Sequence, residues 1–157
     1  MKYIHYGCTE FDKNKFNNIR NLPETTKPFG GFWASRIDAI KSWKNWCEDT
    51  EYEANLNDNF IFTLKDKSRV LTINNCEQLK KLPKREGITS IVQTNLDFEA
   101  LAKEYDAVEV LISEDPKLYH QLYGWDCDSI LIMNPNIVEE GKKIEKECFG
   151  IELEIDM

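Results

Sequence analysis

Three kinds of side chain in this sequence could act on a ligand. They are a histidine near the start, His5; a set of aromatic rings, Phe32, Trp33 and Trp43 with Trp46 beyond; and a carboxylate, Asp128, heading a late apolar run. The stretch 27–47 holds three of the four tryptophans. Flat rings offered from a strand and the helix behind it make a slot for a planar ligand, because stacking uses large apolar faces at little entropic cost. A nicotinamide or adenine ring fits such a slot. The competing reading is that the rings are ordinary core.

Strands and helix starts must position these groups. Residues 1–7 read as a first strand, with Tyr3 and His5 on one face and Ile4 and Tyr6 on the other. The polar stretch 14–27, broken by Pro23 and closed by Pro28, reads as a surface connection with one helical turn. Gly30 and Gly31 then permit close backbone approach before a strand at 32–35. Asp38 is the expected N-cap of a helix at 39–48. Strands are expected at 59–65 and 69–73, joined as a hairpin through the charged turn between them. A short helix at 76–82 stops at Pro83, and 88–92 is a β-branched run of either type. Asp97 caps a helix at 98–104, followed by a strand at 107–112. Pro116 opens a helix at 117–123, and Asn134-Pro135 stops a strand at 129–133. The charged run 138–147 is expected as a solvated helix or connection, and 151–155 as an edge strand.

At 157 residues, 41% hydrophobic and 31% charged, the chain has the size and composition of a single domain over 1–157. A formal charge of -8 argues against general nucleic-acid binding, which needs a basic face to release counterions. No apolar run reaches membrane-spanning length, and no signal peptide is recognisable, so a cytoplasmic protein without membrane contact is expected. The five cysteines are scattered, without a Cys-x-x-Cys pair, which suits a reducing compartment and indicates neither a disulfide framework nor a metal site.

The order of histidine, aromatics and late carboxylate is similar to the His-Tyr-Glu arrangement of NAD-dependent ADP-ribosyltransferases of the poly(ADP-ribose) polymerase and diphtheria-toxin type. The best local match is Gly31-Phe32-Trp33-Ala34-Ser35 through Ser42-Trp43. It resembles that family's glycine-aromatic-aromatic-alanine strand and the serine-bearing helix that carries a stacking tyrosine. The resemblance gives Phe32 or Trp33 the first stacking position and Trp43 the second. It makes His5 the contact to the nicotinamide-side ribose and Gly7 the backbone contact to the carboxamide, with Tyr6 intervening between them. Asp128 stands where the family has a strand-leading glutamate, and the rifamycin-modifying members resemble this chain in having aspartate there. Glu109 is the rival acid. In that chemistry the carboxylate stabilises the oxocarbenium character that develops as nicotinamide leaves. Tyr6, Ser35 and Arg36 complete the expected binding residues, and Arg36, Lys41 and Arg20 are the candidate cations for the pyrophosphate.

The implied fold is α+β, with two small, mainly antiparallel sheets around a cleft and short flanking helices. The implied activity is transfer of ADP-ribose from NAD, as substrate, to an unknown acceptor: protein, nucleic acid or small molecule. The alternatives are a non-catalytic module that binds a nucleotide or a protein on the same fold, and an interaction domain whose tryptophans are only core.

Overall fold

The computed structural model describes residues 1–23, 25–86 and 93–140. The expected runs at 88–92 and 151–155, the part of 138–147 beyond residue 140, and Cys148 lie outside them. The class is α+β. Strands β1 (Tyr3–Tyr6), β2 (Phe32–Arg36), β3 (Asn59–Leu64), β4 (Val70–Ile73), β5 (Ala107–Val110), β6 (Ser129–Ile132) and β7 (Val138–Glu140) alternate with helices α1 (Trp43–Thr50), α2 (Phe98–Glu104) and α3 (Lys117–Gln121). Short 3-10 turns lie at Lys13–Lys15, Cys76–Lys81 and Pro135–Ile137.

In place of two sheets, the strands are hydrogen-bonded into one seven-stranded sheet of order β4-β5-β6-β2-β1-β3-β7. Every neighbouring pair is antiparallel except β4 with β5. The expected hairpin of β3 and β4 does not form. Strand β3 already has β1 on one side and β7 on the other, so the chain carries β4 to the far edge beside β5. Arg69 is pinned there by Asp106, whose carboxylate accepts from the Arg69 amide at 2.8 Å and from its guanidinium at 3.1 Å. The start of the charged run 138–147 is correspondingly a strand, β7, and not a solvated helix.

Strand β2 divides the sheet. Phe32, Trp33 and Ala34 pair with β6, whereas Ser35 and Arg36 pair with β1. Strands β1 and β2 therefore share only the pairs Tyr3 with Arg36 and Ile4 with Ser35, and beyond Ile4 they part. The cleft that two sheets were expected to enclose opens inside one sheet.

Two-residue alternation sorts the side chains onto two packed faces. One face carries Trp33, Val108, Val110 and Leu131 against Leu101 of α2, Leu118 of α3 and Trp125. The other carries Tyr3, Ala34, Phe62, Ile130 and Ile132, with Phe11, Phe16 and Phe32 packed against them. Both faces being covered explains why β5 and β6 are buried at every position.

Helix starts follow side-chain chemistry. Asp97 accepts from the Ala100 amide and caps α2 as expected. Helix α1, however, starts four residues later than expected. Its cap is Ser42 in a reciprocal box with Asn45, and not Asp38. The reason is tertiary: Lys41 is tied to β6 through the Asp128 amide, which donates to the Lys41 carbonyl at 2.7 Å, so residues before Ser42 cannot wind into the helix. Among the described residues no helix is long and apolar enough to cross a membrane.

Candidate functional site

Where β1 and β2 part, the Trp33 carbonyl turns to a side chain and not to the ladder. That side chain is the His5 ring, with Nδ1 2.6 Å from the Trp33 oxygen. A carbonyl only accepts, so Nδ1 carries the proton and Nε2 is left as an acceptor in the neutral ring. Burial pushes the His5 pKa below its ordinary value, and the bond to Trp33 partly opposes this. The neutral ring is thus the resting form. Phe32 and Phe60 hold it at centroid distances of 5.4 and 5.2 Å.

Beside this histidine lies a cavity of about 270 Å³. Ile4 and Tyr6 enter it from β1, Trp33 and Ser35 from β2, Trp43 from α1, and Asp126 from the loop before β6. His5 lines it as well. Five residues named from sequence, His5, Tyr6, Trp33, Ser35 and Trp43, are therefore brought together from three elements. Ser35 is the joint of the wall: its hydroxyl donates to the Asp128 carbonyl at 2.9 Å and accepts from the Trp43 amide at 3.2 Å, fixing β2, β6 and α1 to one another. Trp33 meets Trp125 edge to face at 4.7 Å, which locks its ring. Trp43 stacks on Trp46 at 5.0 Å and 13°, with Tyr52 against both. The slot is walled by rings that are themselves held.

The other expected residues go elsewhere. Phe32 points to the opposite face, among Phe11, Phe60 and Phe62, so of the two candidates for first stacking position only Trp33 lines the cavity. Gly7 is at φ +113 outside the cavity, and its amide donates to the Asp58 carbonyl, which removes it as a carboxamide donor. Arg36 leaves β2 on the face away from the cavity and makes a two-pronged pair with Glu109, both contacts at 2.6 Å. Glu109 is 2% exposed in that pair and also receives the Thr72 hydroxyl. The rival acid and the expected pyrophosphate cation thus satisfy each other.

Asp128 is buried, and both of its carboxylate oxygens are in use. Oδ1 accepts from the Ser113 amide at 2.8 Å, and Oδ2 accepts from the Ser113 hydroxyl at 2.6 Å and the Lys41 amide at 3.4 Å. It fastens β6 to the loops before α1 and α3 and is not part of the cavity wall. The acidic residue that lines the cavity is Asp126, two residues earlier, which also borders the neighbouring groove that Trp46 lines. The two aspartates have the same alternation parity, so no periodicity separates them; the contacts of Ser113 and Lys41 do. Lys27 also lines the cavity, its ammonium 5.4 Å from the Trp33 ring centroid. The signal for it was weak: a lysine before Pro28, held extended by that proline. Cys127 sits in the wall too, but burial raises its thiol to about 11, so it is no nucleophile near neutral pH.

The arrangement offers rings for a flat group, a hydrogen-bond acceptor on His5, a carboxylate and one ammonium. Comparison with protein-family models, with curated proteins and with solved structures finds no match to this chain.

Proposed function

We propose that the cavity between β1, β2 and α1 takes the nicotinamide-ribose end of NAD, and that the chain is an ADP-ribosyltransferase acting on an acceptor of unassigned identity. The observation that carries this reading is the convergence of His5, Trp33, Trp43 and Asp126 on one cavity from segments spread over more than 120 residues of sequence. The size is consistent with part of a ligand: about 270 Å³ lies near the lower end of the range for small-molecule sites. Nicotinamide with its ribose goes inside, and the adenosine half lies across the rim.

In this reading Trp33 and Trp43 hold the ring flat and exclude water. The neutral His5 accepts a ribose hydroxyl through Nε2 and fixes the sugar. The bond between the anomeric carbon and the ring nitrogen breaks with its electron pair going to nicotinamide, which leaves neutral. The acceptor nucleophile bonds to the same carbon, and its proton passes to Asp126 or water. The Asp126 charge stabilises the oxocarbenium character between those events. The cleft this reading needs is the one opened within the single sheet where β1 and β2 part.

Incubation with NAD, with nicotinamide release followed by chromatography and NAD affinity by calorimetry, tests the proposal. Binding with release that Asp126→Asn abolishes is the expected result. Binding without release identifies a non-catalytic nucleotide module, and no binding removes the NAD reading altogether.

A further inference from the structure

Among the residues that line the cavity, Lys27 carries the one lysine or arginine charge. The other cations named from sequence are committed or distant. Arg36 is paired with Glu109, Arg20 lies over the Phe29 ring at 4.8 Å, and Lys41 lines the neighbouring groove together with Trp46 and Tyr119. Among the described residues Lys27 makes no ion pair with a carboxylate. Its place is nevertheless built. The Thr25 hydroxyl donates to the Lys27 carbonyl at 2.6 Å, the Thr26 hydroxyl donates to the Tyr123 carbonyl at 2.7 Å, and Arg85 donates to the Thr25 carbonyl at 2.9 Å. Across from it, Gly124 has φ +86, and a Cβ there would come within 2.9 Å of the lysine stem. Glycine leaves the room the lysine occupies.

We infer that Lys27 forms a phosphate subsite at the mouth of the cavity, taking the 5′-phosphate attached to the ribose of a nicotinamide nucleotide. The inference rests on the proposed reading of the cavity. In the structure as it stands, the ammonium covers the Trp33 face by a cation–π contact, weaker than a charged hydrogen bond to phosphate. A cationic nicotinamide ring stacking on Trp33 would meet that like charge. The ammonium must therefore swing off the ring, and a phosphate on the same ligand gives it a new partner. A ligand with the phosphate gains a contact and relieves a repulsion; one without it does neither.

Nicotinamide mononucleotide and nicotinamide riboside differ by that phosphate and are the probes. Calorimetric affinities of both are measured for the parent, Lys27→Met and Lys27→Arg at low and moderate salt. The parent is expected to bind the mononucleotide about tenfold or more tightly than the riboside, the size of one charged hydrogen bond. Lys27→Met should abolish the preference and its salt dependence while leaving riboside affinity intact or improved, and Lys27→Arg should retain most of it. A preference that survives in Lys27→Met, or an equal loss for both ligands, overturns the phosphate subsite and leaves the cavity reading standing. Failure of the parent to bind either ligand overturns both.

Discussion

The Nδ1 of His5 stands 2.6 Å from the carbonyl oxygen of Trp33, at the step where β1 and β2 cease to pair. A side chain thus satisfies this half-buried carbonyl where the strands separate. The same ring borders the cavity, so the group that bonds this carbonyl also furnishes the cleft.

This geometry has a pH signature. Burial holds the His5 pKa below its ordinary 6.5, so as pH falls the unfolded chain takes up a proton before the folded one does. The stability that the neutral ring contributes is complete above 6.5 and is lost as pH drops from there through the lower folded value. Melting temperatures recorded between about pH 8 and about pH 5 should decline for the parent more than for His5→Asn, which keeps a donor near the Trp33 carbonyl but does not titrate. Identical declines would remove His5 as the source.

Trp43 is half-buried, stacked on Trp46 and open to the cavity. Trp43→Ala should weaken NAD binding by about 1–3 kcal/mol through lost stacking and area. It should also abolish the exciton couplet that two stacked indoles give in circular dichroism, a check that the ring was where the structure has it. Unchanged affinity together with a lost couplet would make Trp43 a structural ring only.

The two aspartates before β6 should separate by phenotype. Asp126→Asn should leave the melting temperature near that of the parent and lower nicotinamide release by about a hundredfold or more. Asp128→Ala should lower stability by about 3 kcal/mol, because the amides of Ser113 and Lys41 lose a charged acceptor. Denaturant titration and turnover on both variants give the comparison. A stable Asp128→Ala that binds NAD normally but releases no nicotinamide would return the catalytic carboxylate to Asp128.

Arg36 and Glu109 should behave as a structural pair. Arg36→Met strands a carboxylate that is 2% exposed and should cost about 3 kcal/mol, the low end for a buried pair because Arg36 keeps a quarter of its side chain in solvent. The double variant Arg36→Met with Glu109→Leu should recover most of that loss. NAD affinity measured below the melting temperature should not change in either.

The sequence by itself determined the local part of this protein. Alternation set β1, β2, β5 and β6 and put Tyr6 with Ile4 on one face; Asp97 fixed the start of α2; and the clustering of tryptophans named Trp33 and Trp43. These are short-range decisions, made by side-chain period and capping chemistry within a few residues. Tertiary structure decided the rest, because strand partners and carboxylate partners are separated by long stretches of chain. Nothing local sends β4 past β3 to pair with β5, since that follows from β3 having both edges filled. Nothing local moves the start of α1 to Ser42, since that follows from Lys41 being tied to Asp128. Asp126 and Asp128 are alike in type and parity, and Ser113, fifteen residues before Asp128, together with Lys41 takes one into the scaffold and leaves the other to the cavity.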